Sequence, residues 1–596
     1  MVDQSGIEPG FGRRFHPLGD GSGPGPAASG AARSGPLRRQ AGPPRSDTGT
    51  IVLHWTMTIA MLVSLFTGLR ISADAENSVF AKSLNAILPQ GEIWTPHILS
   101  ALTVIVCSFA YAIYLSRSGL GRRVSLKKTR VFGLEAAPKL YWGAVNVILH
   151  WILFAAVVTL LGSGVALYLG YGGPVVTIHY TACLVVLGYI VAHVFAHTMY
   201  GGLGQLLRLF RPAPIAKTAA LKERPLAIAA LVGVVVAGGA AALDHATGET
   251  VTSVRIAANE APDREKLLED PVWRRTRPVF VKTMQGANLG GTGTSMVEIR
   301  SVHDDARIWF AFRWEDPTRS IKRIPLVKHA DGWHMMHNKA DIADETAHYE
   351  DKFAVLFSKS AGFGSGGTTH LGPNPLPGLP SALNKRGSHY TTDGSLADMW
   401  QWKASRGGLL SYMDDMWFST PVAPNADQIA GKTRYQAGYD GDKGRAFYVY
   451  NFVVEPPGGF RGPIQVKRLP IDWKKTTAKL GKVDFADDAS DDEGSQWWMF
   501  EDESVPYSKE LDDQIPVGTV IPAVLIMGKY EGSRADVRAS ARWRDGHWTL
   551  VATRALDTHD AQDLPMESGL SMWVSVFDHT QTRHTRHMRP VTLEMR

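Results

Sequence analysis

Five stretches of this chain carry no charged side chain: residues 51–69, 97–115, 142–169, 174–199 and 225–243. As helices rising about 1.5 Å per residue, each is long enough to cross about 30 Å of hydrocarbon. The fifth, rich in Ala, Gly and Val, is the weakest span, with a buried soluble helix as its alternative reading. From about residue 251 the apolar period changes from helical to two. Runs at 308–314, 353–357, 446–452 and 520–527 read as strands rich in β-branched and aromatic residues. Runs 537–543 and 548–553 flank Asp545-Gly546, a hairpin signal. The expected fold is a membrane α-helical bundle, a four-helix core plus a fifth span, followed by an all-β sandwich with insertions.

Three segments follow: a Gly-, Pro-, Ser- and Arg-rich N-terminus at 1–48, expected to be disordered; a five-span membrane domain at 49–243; and an outer β-sandwich domain at 250–596. Charge gives a direction. Residues 1–243 hold 20 Lys and Arg against 9 Asp and Glu, and the basic side chains gather in the N-terminus and in the second and fourth loops. The positive-inside rule then makes the N-terminus cytoplasmic, and five spans deliver the last 350 or so residues to the periplasmic side of a bacterial inner membrane. Arg13-Arg14 lies too far from the first apolar run for a twin-arginine signal.

Ionisable groups inside a bilayer are costly and usually mark a site. The spans hold six histidines, His54, His97, His150, His179, His193 and His197, and no acidic partner. A single intramembrane imidazole can be explained by a hydrogen bond between helices; six together point to metal or haem ligation inside the bundle. His179 and His193 are 14 residues apart, which puts them on nearly one helix face and about 21 Å apart along the axis. One helix can thus serve two haems at different depths. Depth matching pairs His97 with His179 at the outer side and His54 with His193 at the inner side. His197, 18 residues from His179, is an alternative inner ligand. His150 repeats the Leu-His-Trp of His54 and suits either an interhelical hydrogen bond or the lining of a quinone or haem-propionate region.

Leu53-His54-Trp55, a histidine opening the second span, and Ile178-His179 with His193 beyond it resemble the two-haem cytochrome b subunits of formate dehydrogenases and nickel–iron hydrogenases. The resemblance implies two b haems on His54, His97, His179 and His193, with quinone as exchange partner. The outer segment has Tyr349-Glu-Asp-Lys-Phe353, a Thr-His-Leu-Gly-Pro run around His370, and His389 leading into Asp398-Met-Trp-Gln-Trp-Lys-Ala404. These resemble the haem-binding subunit of ethylbenzene and dimethylsulfide dehydrogenases. That likeness implies a β-sandwich with one b haem, and Lys403 takes the place of its axial lysine. His389 stands where a methionine is expected, so His389, His370, Met399 and Met413 all remain open as the second ligand.

The two cysteines, Cys107 and Cys183, exclude a disulfide framework, cysteine-held iron–sulfur clusters and thioether attachment of haem. All haem should therefore leave the protein in acidified acetone, and haem retained covalently would contradict this. There is no G-x-S-x-G, H-E-x-x-H or phosphate loop. The chain reads as an electron-transfer component of a quinone-linked oxidoreductase, with a periplasmic c-type cytochrome or molybdenum enzyme as partner and no nucleic acid. A haem-free ligand-binding or sensing sandwich, using Trp400, Trp402 and Trp417 as an aromatic platform, is the alternative.

Overall fold

The computed structural model describes residues 43–73, 78–84, 86–89, 91–132, 137–214, 224–284, 293–339, 345–363, 390–429, 437–453, 462–483 and 490–596. The expected N-terminal disorder at 1–42, and candidate ligands His370 and His389, lie outside these residues.

Among the described residues, five helices are long and apolar enough to cross a membrane: α1 (Thr48–Ala73), α2 (Trp94–Arg117), α3 (Pro138–Tyr168), α4 (Pro174–Leu206) and α5 (Pro225–Thr247). Proline opens α3, α4 and α5, where its missing N–H costs no hydrogen bond. α1 packs against α2 and α3 against α4, giving two antiparallel hairpins. α5 lies along α2, where Gly233 leaves room only for the Val106 methyl beside it. Leu231, Val234 and Val235 on α5 are exposed, as on a lipid-facing helix and unlike a buried soluble one.

Residues 46–48 close the segment expected to be disordered, yet Ser46–Asp47 pairs with Pro212–Ala213 and Thr48 already begins α1. Asp47 explains the anchoring. It accepts from the Thr50 N–H at 2.8 Å, from Tyr114 Oη at 2.6 Å and from Arg123 at 3.2 Å. α4 breaks at Gly201–Gly202, where Gly202 has φ +63°, a conformation glycine adopts without strain. That break turns the chain back towards Pro212.

One twelve-stranded sheet organises the second half. Its strands are β1 (Glu249–Arg255), β2 (Val279–Thr283), β3 (Ser295–His303), β4 (Arg307–Glu315), β5 (Lys352–Ser358), β6 (Ala397–Lys403), β7 (Asp414–Phe418), β8 (Tyr439–Gly441), β9 (Arg538–Arg544), β10 (His547–Ala555), β11 (Ser571–Phe577) and β12 (Val591–Met595). The order is β8-β7-β6-β5-β11-β12-β1-β3-β4-β10-β9, with β2 on β3. The sheet curls until its ends meet, and a Tyr412–Arg538 bridge joins them. Strands far apart in that order therefore face each other. Trp314 of β4 stacks on Phe353 of β5 at 4.6 Å between ring centres, and Trp402 of β6 meets Trp548 of β10 at 4.7 Å. These aromatics alternate with outward residues, which is how one sheet makes a two-layer sandwich. Asp545 and Gly546 both take positive φ in the β9–β10 turn, as the sequence signal requires.

Candidate functional site

The helix ends next to the sheet hold the first site. His97 lies in the first turn of α2 and His179 near the start of α4, so each hairpin contributes one imidazole. Their ring centres are 6.5 Å apart, with the planes at 78°. Two imidazoles bonded through nitrogen to one iron at about 2 Å each would hold their ring centres roughly 6.4 Å apart. The pair therefore fits the two sides of a haem iron.

The surrounding hydroxyls set the tautomer. Thr67 Oγ1 donates to the Val63 carbonyl at 2.7 Å and lies 3.0 Å from His97 Nδ1. Ser163 Oγ donates to the Thr159 carbonyl at 2.6 Å and lies 2.9 Å from His179 Nδ1. Each hydroxyl has spent its proton on a carbonyl, so it accepts from Nδ1–H and leaves the Nε2 lone pair for a metal. Glycines follow both residues. A Cβ on Gly68 would stand 3.1 Å from His97 Cε1, and one on Gly164 would stand 3.4 Å from His179 Cε1. Thr67→Val and Ser163→Val should loosen haem at this site about 10- to 100-fold, measured by haem transfer to apomyoglobin, while a threonine at 163 restores retention.

At the opposite ends of the helices four histidines gather. His150 and His193 ring centres are 5.2 Å apart, and His193 and His197 are 4.5 Å apart. Both spacings are shorter than two imidazoles need to flank an iron. Tyr189 Oη lies 3.0 Å from His193 Nδ1, and His150 Nδ1 is bonded to the Asn146 carbonyl. His54 is within electrostatic reach of His193 and His197, and Arg208 within reach of all four. The structure thus brings His54, His150, His193 and His197 to one end, and the described contacts put His150, rather than His54, against His193.

The two hairpins repeat each other beyond the shared Leu-His-Trp. Trp55-x11-Thr67-Gly68 in α1 matches Trp151-x11-Ser163-Gly164 in α3. Trp55 Nε1 donates to the Leu209 carbonyl at 3.4 Å, and Trp151 Nε1 to the Val124 carbonyl at 3.0 Å, so each indole ties its helix to a neighbouring loop. Thr67 and Ser163 were missed in the sequence, although this common spacing could have found them.

The β half docks on the His97–His179 end. Arg586 lies over the Trp94 ring at 5.2 Å, three residues before His97. Arg589 lies over Tyr168 at 5.1 Å and donates to Thr247 Oγ1 at 2.6 Å. Met284 packs against Gly172 in the turn leading into α4.

Lys403 is buried at the end of β6 and forms an ion pair with Asp414, with Met416 Sδ 3.8 Å from its Nζ. Tyr530 and Tyr448 donate to the same carboxylate at 2.7 and 2.8 Å, and Arg534 lies at 3.3 Å. Burial pushes the Lys403 amine below the usual lysine range against the pull of Asp414. Burial opposes ionisation of Asp414, but Lys403 and Arg534 overcome it and hold that carboxyl below the ordinary range. A nitrogen and a thioether donor thus converge in one buried place, and iron could take the amine only once Asp414 releases it. Met399 pairs with Met416 across β6 and β7, whereas Met413 is in the sandwich core. Trp400 and Trp402 are fully buried core residues, so they form no exposed platform.

Residues 270–589 match the ethylbenzene dehydrogenase family, and residues 45–212 match prokaryotic cytochrome b561. The helical part is thus a cytochrome b561-type membrane electron-transfer module, which implies haem b there. No curated protein sequence matches the chain. Among solved structures, a family 9 carbohydrate-binding module from Caldicellulosiruptor kristjanssonii is similar at 6% identity and a TM-score of 0.21, covering 58% of this chain and 96% of that one. A Bacteroides uniformis protein described as carbohydrate-binding is similar at 7% identity and a TM-score of 0.22, covering 59% of this chain and all of that one.

Proposed function

From the premise that the chain belongs to the ethylbenzene dehydrogenase family and carries a cytochrome b561 module ahead of that domain, we propose that it is a transmembrane electron wire. It exchanges electrons between the membrane quinone pool and a periplasmic redox partner, a c-type cytochrome or a molybdenum enzyme. His97 and His179 would hold one b haem, and His54 and His193 the other, with His197 as the alternative inner ligand. Lys403 would hold a third haem in the outer half, with His370, His389, Met399 or Met413 still open as its second ligand and Met416 as a further thioether beside the amine. The haems supply one-electron transfer. The side chains of the protein do the rest. Thr67 and Ser163 orient the imidazoles, the apolar bundle excludes water, and Arg586 and Arg589 press the outer half against the end where His97 lies.

The observation that carries this reading is the 6.5 Å spacing of His97 and His179 directly beneath that docking surface. Basic loops favour a cytoplasmic N-terminus and a periplasmic β half. The test is reconstitution into sealed vesicles containing quinol. The haems should be reduced by quinol and re-oxidised by an impermeant acceptor added on the side of the β half. Three haems per chain are expected; two, both lost when His54 and His97 are replaced together, would remove the outer haem from the proposal.

A further inference from the structure

At one end of the sandwich core, four aspartates from four separate segments converge: Asp398 on β6, Asp415 on β7, Asp442 just after β8, and Asp563 in the loop between β10 and β11. All four are buried, and Asp398 and Asp415 are fully so. Ligand oxygens of Asp398, Asp415 and Asp563 lie within 4.8 Å of one another. Asp442 and Asp563 approach closely enough to share a hydrogen bond if one of them is protonated.

The charges do not balance. Arg554, fully buried on β10 in the facing layer, sends Nη1 to Asp398 at 2.7 Å, Asp563 at 3.2 Å and Asp415 at 3.6 Å. Its Nη2 donates to the Leu564 carbonyl at 2.6 Å. One guanidinium faces four carboxylates. Other groups reach Asp398 and Asp563: the Leu564 N–H donates to Asp398 Oδ2 at 3.0 Å, and Thr558 Oγ1 donates to Asp563 Oδ2 at 2.5 Å. Among the described residues, both oxygens of Asp415, both of Asp442, Oδ1 of Asp398 and Oδ1 of Asp563 have no hydrogen-bond partner. An unpartnered buried carboxylate is strongly disfavoured, and the fully buried Asp415, with no hydrogen bond to either oxygen and only the 3.6 Å approach of Arg554 to Oδ2, is the clearest sign that the cluster faces something else.

We propose that these four aspartates form a structural calcium site that staples the two layers of the sandwich together. The donors are oxygen only, which selects a hard cation over zinc, copper or iron. Six carboxylate oxygens without a hydrogen bond, two of them in ion pairs with Arg554, suit the six to eight oxygens that calcium takes, whereas magnesium keeps several waters and is poorly served by a dry protein cage. A divalent ion cancels most of the excess negative charge that Arg554 leaves. Because the ligands come from β6, β7, the segment after β8 and the loop after β10, the ion would join segments far apart in sequence.

The competing arrangement is one in which protons hold the cluster. Burial, with Asp563 nearby, pushes the Asp442 carboxyl up to about 8, and burial raises Asp415 as well. The experiment separates the two. The full chain is purified in detergent, stripped with EGTA and dialysed, then titrated with calcium chloride while tryptophan fluorescence follows thermal unfolding and elemental mass spectrometry counts bound metal. Calcium should bind at a 1:1 ratio and raise the unfolding temperature of the stripped protein, and magnesium chloride at the same concentration should do less. Asp415→Asn and Asp442→Asn should each weaken calcium binding about 10- to 100-fold with the haem spectrum unchanged. If either variant fails to fold, the wild-type titration still decides. Unfolding indifferent to both calcium and EGTA from pH 6 to pH 8, with no stoichiometric metal, would overturn the site, and an equal response to magnesium would overturn the assignment to calcium.

Discussion

Replacing His97 or His179 with alanine should remove one haem from the purified protein, and the same one in both cases. The expected readout is a pyridine haemochromogen count lower by one per chain, together with loss of one component from the redox titration. Each imidazole is fixed by its own hairpin, through Thr67 in α1 for His97 and Ser163 in α3 for His179. Their 6.5 Å spacing leaves room for one iron and none for a second pair of ligands. The protein would then offer the haem one imidazole instead of two. The same experiment probes the other end of the bundle. His54→Ala and His193→Ala should empty a second site while the first keeps its spectrum. If His150→Ala or His197→Ala empties that site and His54→Ala does not, the inner pairing is wrong and the ring contacts of His193 are the better guide.

The second large effect belongs to Arg554. Arg554→Met should cost about 3–5 kcal/mol of stability in the outer half at neutral pH, the cost of breaking a buried ion pair from one side. The guanidinium is fully buried among Asp398, Asp415 and Asp563 and lies over the Trp400 ring at 5.0 Å. The methionine keeps much of the volume and none of the charge. The pH dependence follows from the carboxylates. Burial pushes Asp398 up to about 6 although Arg554 opposes it, and burial with Asp563 pushes Asp442 up to about 8. The folded state then binds more protons than the unfolded state between about pH 4 and pH 8, so stability falls as pH rises through that window in metal-free protein. Removing Arg554 steepens the fall, and the deficit of the variant shrinks as pH drops towards 4. Thermal unfolding of both proteins in EGTA at pH 5 and pH 8 checks it; an equal deficit at the two pH values would mean that lost packing, rather than charge, dominates.

Much of the architecture could be read directly from the chain. Uncharged runs of spanning length have no other stable home, so the helices extend only a few residues beyond the expected limits. The β9–β10 hairpin follows from Asp545-Gly546. Two expected strands break for local reasons. The run at 520–527 is split at Pro522, which has no N–H for a ladder, and the run at 446–452 is split at Asn451, whose side chain bonds the Arg468 backbone instead. The site was only half legible. Depth along the helices was enough to match His97 with His179, because both open helices at one surface. It could not show that His150 would turn towards His193, since that depends on the rotation of α3. Trp400 and Trp402 illustrate another limit: alternation on a strand says that they share a face, and both a packed core and a ligand platform satisfy it. The aspartates around Arg554 come from positions 398 to 563 and carry no spacing signal at all.

Only Gly248 separates the last turn of α5 from β1, and Arg589 binds Thr247 and Tyr168 on the membrane side of that joint. A soluble head on so short a neck has no arc through which to swing. Electrons passing between the membrane haems and the proposed outer haem would therefore cross a fixed gap, without shuttling between docking positions. The internal transfer rate should be indifferent to solvent viscosity, in contrast to carriers that rotate on a hinge. Any slow, diffusive step would then be pushed outward, to the arrival and departure of the proposed external partner.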